Sequence, residues 1–173
     1  ACMEGHEAPM RETNSESRTL SGWLTYLERL HPEVIEMGLE RVHRVRNELG
    51  LASSFPIIIV GGTNGKGSTC AMMEAILSCA GYRVGCYTSP HLLRYNERVR
   101  ISRQEASDGD LCSAFDVVES ARIDSGISLT YFEFGTLAAM QLFSQAGVDV
   151  AILEVGLGGR LDATNAVDAR AAA

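Results

Sequence analysis

The stretch Pro56-Ile57-Ile58-Ile59-Val60-Gly61-Gly62-Thr63-Asn64-Gly65-Lys66-Gly67-Ser68-Thr69 constrains this chain more than any other. Its short β-branched apolar run marks a strand buried on both faces. A glycine-dense turn follows, then a helical pattern from about Lys66 to Ala80, ended by Gly81. Strand, glycine loop and helix in that order make a cradle for an anion. Glycines let backbone N–H groups converge without Cβ clashes, and the helix N-terminus adds free donors and partial positive charge. Lys66 can reach the terminal phosphates of a nucleotide, and Ser68 or Thr69 can offer a hydroxyl to Mg²⁺. The loop is a variant. The strict G-x-x-x-x-G-K-[ST] pattern asks for Gly at 60 and Ser or Thr at 67, where this chain has Val60 and Gly67.

The remaining patterns extend this unit into an α/β domain. Leu20, Trp23, Leu24, Leu27 and Leu30 recur at helical spacing, which His31-Pro32 breaks. Val34, Ile35, Leu39, Val42, Val45 and Leu49 predict a second helix, stopped at Gly50. Arg83–Thr88 reads as a second strand, Arg98–Ser102 as a short edge strand, and Asp149–Val155 as a third buried strand. Helical patterns occupy about 108–123 and 132–146. Such alternation predicts a mostly parallel sheet flanked by helices on both faces. Residues 1–18 are polar and are expected to form a disordered tail, leaving 19–173 as one domain.

Composition removes several function classes. The chain has 173 residues, enough to bury about 70% of its unfolded surface without a metal or disulfide staple. A net charge of −7 excludes a non-specific nucleic-acid binder, which needs a basic face. No run reaches the roughly 18 apolar residues of a membrane span, and the N-terminal segment has no apolar core of a signal peptide. Five cysteines without CxxC spacing suit reduced thiols in a cytoplasmic protein better than a zinc site. A monomer is expected. Of the 15 Lys and Arg residues, Lys66 is the single lysine and the other 14 are Arg.

Three further segments sit where the C-terminal ends of the strands should meet, the place where doubly wound sheets hold ligands. Glu154-Val-Gly156-Leu-Gly158-Gly159-Arg160-Leu-Asp162 places a carboxylate at the end of the third strand, suited to hold Mg²⁺ beside a phosphate loop. Thr88-Ser89-Pro90-His91-Leu92 follows the second strand, and Ser89 can present a hydroxyl to the same metal. His91 reads first as structural. In Tyr95-Asn-Glu97-Arg98-Val-Arg100, either Arg98 or Arg100 can meet an anionic substrate, with solvated surface charge as the default. Thr130-Tyr-Phe132-Glu-Phe134 opens a helix whose aromatics can face a flat ring or simply pack the core.

Gly62–Ser68, Tyr87–Leu92, Tyr95–Arg100, Thr130–Gly135 and Leu153–Asn165 occur together and in order. In this combination the chain resembles the bacterial bifunctional dihydrofolate synthase/folylpolyglutamate synthases of the Mur-ligase superfamily, over about residues 20–168. The resemblance implies a Mur-ligase-type ATP-binding domain and an ATP-dependent amide ligase of folate biosynthesis. In such an enzyme ATP phosphorylates the carboxylate of dihydropteroate or a folate, and L-glutamate then attacks the acyl phosphate. It assigns Gly62, Thr63, Asn64, Gly65, Lys66, Gly67, Ser68 and Thr69 to ATP, and Ser89 and Glu154 to Mg²⁺. Lys66 and Glu154 would be the catalytic pair. Thr130, Phe132 and Asp162 would line a pterin site, with Gly38 and Leu39 in a substrate loop over Glu36–Arg41. A carboxylate at 162 could accept paired hydrogen bonds from an amino-pyrimidine edge.

The resemblance also implies a longer parent, with a further strand, a metal-binding histidine, a lysine and a second α/β domain that binds glutamate. The chain is therefore expected to be an N-terminal portion with negligible ligase turnover on its own. The residues themselves leave open another phosphate-loop enzyme, such as a small-molecule kinase, and a non-catalytic nucleotide- or folate-binding remnant. A GTPase is disfavoured because no Asn is followed by Lys. Arg substitutes for Lys everywhere except in the phosphate loop, where a compact ammonium fits between phosphate oxygens and a planar guanidinium does not. Lys66→Arg is accordingly expected to abolish ATP use by the full-length enzyme with the fold intact. Near-normal activity of that variant would overturn the assignment.

Overall fold

The computed structural model describes residues 18–30, 38–51, 55–156, 159–167 and 169–173. The predicted tail over 1–18 lies almost wholly outside them, as do Glu36 and Met37 of the expected substrate loop. Six strands form one sheet: β1 (Ile57–Val60), β2 (Val84–Tyr87), β3 (Val99–Ile101), β4 (Gln104–Glu105), β5 (Val150–Glu154) and β6 (Ala171–Ala172), in the order β4-β3-β2-β5-β1-β6. β5 runs parallel to both β1 and β2, with Val60 beside Glu154 and Tyr87 beside Leu153. β6 extends the parallel part from β1, while β3 and β4 are antiparallel.

Period-two alternation divides the strand residues between two cores. Ile57, Ile59, Tyr87, Ala151 and Leu153 face the larger one. It is filled by α1 (Leu20–Leu30), α2 (Glu40–Glu48), α4 (Asp108–Ser125) and α5 (Tyr131–Ala146). Val60, Val84, Cys86, Val150 and Ile152 face the smaller one, against Cys70, Met73 and Leu77 of α3 (Lys66–Cys79). Helix α5 lies directly on β2 and β3, and α1, α2 and α4 also pack against it. That inner position explains why ten of its residues, Glu133 and Thr136 included, are buried. Trp23, Tyr95, Phe115 and Phe134 pack edge-on or tilted at centroid distances of 5.6–6.2 Å, which ties α1, α4 and α5 together.

Local chemistry sets the helix ends. Ser107 caps α4 through Asp110, and Thr130 caps α5 through Glu133, each as a reciprocal capping box. Two expectations shift. Described helical structure in the second segment begins at Glu40, with Leu39 at its N-cap; the expected positions 34 and 35 lie outside the described residues. The strand read over 98–102 is not an edge, because Gln104–Glu105 turns back and pairs with it. The strands β4 and β6 have two residues each, too short to carry any alternation. No helix among the described residues is long and apolar enough to cross a membrane.

Gly85 lets β2 and α5 approach closely. A Cβ there would lie 2.6 Å from Cδ1 of Phe143, a fully buried side chain. Gly85→Ala is expected to lower the urea midpoint, at a cost of about 1–3 kcal/mol for overpacking. Combining it with Phe143→Leu should recover part of that loss. Equal stability of Gly85→Ala and wild type would contradict the packing.

Candidate nucleotide and metal site

Parallel strands β1, β2 and β5 end at the same edge of the sheet, each feeding a loop. After β1, Gly65 takes φ +76° at the N-cap of α3, a left-handed conformation that glycine adopts without a Cβ penalty. Residues 61–65 and Gly67 and Ser68 are exposed, so the loop is open to a ligand. Lys66 Nζ donates to the Gly62 carbonyl at 3.0 Å, which folds the ammonium back over the loop. The Thr69 hydroxyl donates to the Gly65 carbonyl at 3.0 Å, leaving Ser68 as the exposed hydroxyl of the first turn.

Glu154 ends β5 and is 5% exposed. Its Oε2 accepts the Ser89 N–H at 2.9 Å. Its Oε1 lies 4.0 Å from where a Cβ on Gly67 would stand. One buried carboxylate therefore binds the loop after β2 and lies close to the first turn of α3. No ion pair links Glu154 to a basic side chain among the described residues. Nor do those residues contain a cluster of three or more His, Cys, Asp or Glu able to cage a metal. One carboxylate, one or two hydroxyls and nearby phosphate oxygens form the donor set Mg²⁺ commonly uses, in place of an all-protein cage.

The Ser89 loop is held from beneath. Glu97 accepts the backbone N–H groups of Leu92, Leu93 and Arg94 at 2.7–2.8 Å. These three donors hold its carboxyl down at about 2. Arg98 Nε donates to His91 Nδ1 at 2.8 Å, and its guanidinium lies over the Tyr95 and Tyr131 rings. Burial, and then the Arg98 charge, push the His91 pKa below its ordinary value. Arg100 instead pairs with Glu74 of α3 at 2.9 Å. Sequence reasoning missed both Glu74 and the bracing role of Glu97. Glu74 carried a signal: with Lys66 it is one of only two charged residues in α3, amid Cys, Ala, Met, Ile and Leu.

The residues read as a pterin site gather at the starts of α2 and α5 and in the loop after β5. Thr130 caps α5, and its N–H donates to Glu133 Oε2 at 2.7 Å. Glu133 also pairs with Arg41 at 2.8 Å, which brings the Gly38-Leu39 turn into the same region. Phe132 is half-buried and tilted 5.9 Å from Tyr87, the last residue of β2. A Cβ on Gly156 would sit 3.0 Å from Phe132 and 3.3 Å from Asp162. Asp162 is buried and braces its own loop. Oδ2 accepts Gly156 N–H at 3.0 Å, and Oδ1 accepts the Thr164 N–H at 3.0 Å and hydroxyl at 2.7 Å. Leu157 and Gly158 lie outside the described residues.

Sheet order, phosphate loop and strand-end carboxylate define an α/β domain of the Mur-ligase type. Over 161 residues the chain is 55% identical to the dihydrofolate synthase/folylpolyglutamate synthase of Escherichia coli K12, a match covering 92% of this chain and 38% of that protein. The chain belongs to the dihydrofolate synthase/folylpolyglutamate synthase family. The structure of E. coli FolC in complex with DHPP and ADP superposes with a TM-score of 0.86 at 57% identity, covering 90% of this chain and 37% of that one. A bifunctional folylpolyglutamate synthase/dihydrofolate synthase with Mn, AMPPNP and L-glutamate bound gives a TM-score of 0.84 at 59% identity, covering 90% and 37%. No family model matches the chain. The chain thus spans somewhat over a third of the length of these relatives.

The Glu97 brace has a pH signature. Its folded-state pKa of about 2 lies below the ordinary 4.5. The stabilisation it gives is therefore present above about pH 4.5 and is lost as pH falls towards 2. Glu97→Gln is expected to speed amide exchange at Leu92–Arg94 at neutral pH, and a carbon NMR titration should place the wild-type carboxyl midpoint near 2. A midpoint above 4 would remove the brace.

Proposed function

We propose that this chain holds the nucleotide phosphates and the divalent metal of an ATP-dependent carbon–nitrogen ligase. Its carboxylate substrates would be dihydropteroate and folates, and its amine substrate L-glutamate. The observation that carries the reading is Glu154, which is buried at the end of β5, accepts the Ser89 N–H and lies close to the Gly67 turn. DHPP, ADP, AMPPNP, Mn and L-glutamate in the relatives' structures support the ligand classes.

Gly62–Gly65 and the first turn of α3 would take the β- and γ-phosphates on backbone N–H groups, with Lys66 swinging from the Gly62 carbonyl onto their oxygens. Glu154 and the Ser89 hydroxyl, with Ser68, would hold Mg²⁺. Bound there, Mg²⁺ would neutralise charge developing on the γ-phosphoryl group. A substrate carboxylate oxygen attacks the γ-phosphorus and the bond to the β-phosphate oxygen breaks, giving ADP and an acyl phosphate. The glutamate amine then attacks the acyl carbon, a proton leaves the nitrogen, and inorganic phosphate departs. Positioning and charge stabilisation supply most of the catalysis. Phe132, Thr130, Asp162, Gly38 and Leu39 are proposed to receive the pterin end, with Phe132 offering its half-buried ring face.

Titration of the chain with Mn²⁺·AMPPNP, followed by calorimetry and by the manganese electron paramagnetic resonance signal, tests the reading. Wild type should bind. Glu154→Gln and Ser89→Ala should each lose no less than the roughly 10–100-fold that even an outer-shell partner contributes. Failure of wild type to bind, or unchanged affinity in Glu154→Gln, would refute it.

A further inference from the structure

The Arg100 guanidinium lies at a three-way junction. Nε and Nη2 donate to Glu74 Oε2 at 3.0 and 2.9 Å, with side-chain exposures of 22% for Arg100 and 6% for Glu74. Nη1 reaches the Glu97 carbonyl at 3.2 Å and the Thr88 hydroxyl at 3.5 Å, and Nη2 rests 3.4 Å from Cys86 Sγ. One planar group therefore contacts the phosphate-loop helix, the end of β2 and the turn that carries Glu97. Those elements bear the two halves of the site. Ser68 and Lys66 ride on α3, while Ser89 lies on the loop that Glu97 braces.

We propose that the Glu74–Arg100 pair is a positioning strut, which registers the phosphate-loop helix against the Ser89–Arg94 loop so that both reach one metal–phosphate group together. This proposal rests on the nucleotide–metal reading above. Stability alone gives a poor reason for such a pair. Desolvating two charges costs about as much as their attraction returns, and well-packed apolar replacements are often neutral or stabilising. Geometry gives a better reason. The arginine fork fixes direction as well as distance, which a hydrophobic contact does not. Both charges are set back from the phosphate loop, so they would act through Ser89 and the helix and not on substrate.

The test uses the double variant Glu74→Leu/Arg100→Met, which removes the pair without stranding a buried charge, and Arg100→Lys, which keeps the charge but not the fork. Three readouts are taken on the full chain: thermal midpoint, amide exchange at Ser89 and Leu92–Arg94 without nucleotide, and affinity for Mn²⁺·AMPPNP. The double variant should keep its midpoint, lose protection at those amides, and bind Mn²⁺·AMPPNP about tenfold or more weakly, the size of an outer-shell loss. Arg100→Lys should recover part of the protection. Wild-type protection and affinity in the double variant would overturn the strut, as would protection lost evenly across the chain along with the midpoint. If the double variant does not fold, Arg100→Lys carries the same readouts with the same expected direction. If the wild-type chain binds no Mn²⁺·AMPPNP, the nucleotide reading falls, and the exchange pattern still decides the strut.

Discussion

The parallel pairing of β1 with β5 is the constraint on which the rest depends. Their register sets Val60 beside Glu154, so the chain leaves one strand into the phosphate loop at the level where the other presents its carboxylate. A slip of one residue would turn the Glu154 side chain to the opposite face of the sheet. The register is enforced by burial on both faces: Ile57 and Ile59 face the four-helix side, and Val60 faces α3. Burial of apolar side chains thus sets where the Glu154 carboxylate stands relative to the start of the phosphate loop.

Around that pair, carboxylates act mainly as braces. Glu97 gathers three backbone amides under the Ser89 loop, Asp162 holds the loop after β5, and Glu133 closes the cap of α5 and receives Arg41. Asp162 and Glu133 satisfy buried donors that irregular backbone would otherwise leave unpaired, while Glu97 ties down amides of an exposed turn. Glu154 differs from these three. It accepts one backbone N–H, while its other oxygen lies close to the first turn of the phosphate-loop helix.

The strand–loop–helix unit at 57–79 and the strands at 84–87 and 150–154 were legible because burial on both faces leaves short runs without charge up to the strand end, β-branched in the first and largely apolar in the other two. Glu154 was legible for the same reason, since a charged residue closing such a run is anomalous unless it has work to do. Arg100 reads from sequence as solvated surface charge or, with Arg98, as a substrate contact, whereas in the fold it pairs with the buried Glu74. Its partner Glu74 is 26 positions away, and no local pattern couples a strand residue to a helix carboxylate at that separation. The strands β4 and β6 were invisible because two residues, Ala171 and Ala172 among them, have no periodicity to detect. Asp162 was legible as a notable carboxylate, whereas its grip on Gly156 and Thr164 emerges only from the folded loop.

The order of the strands has a kinetic consequence. β1 and β2 never touch each other; β5 stands between them, and it is made some sixty residues after β2. Until β5 arrives, the two earlier strands have no strand between them to set their parallel register. Closing such distant parallel contacts is intrinsically slow. The glycine loop after β1 is thus made long before the carboxylate of Glu154 that the finished sheet sets beside it.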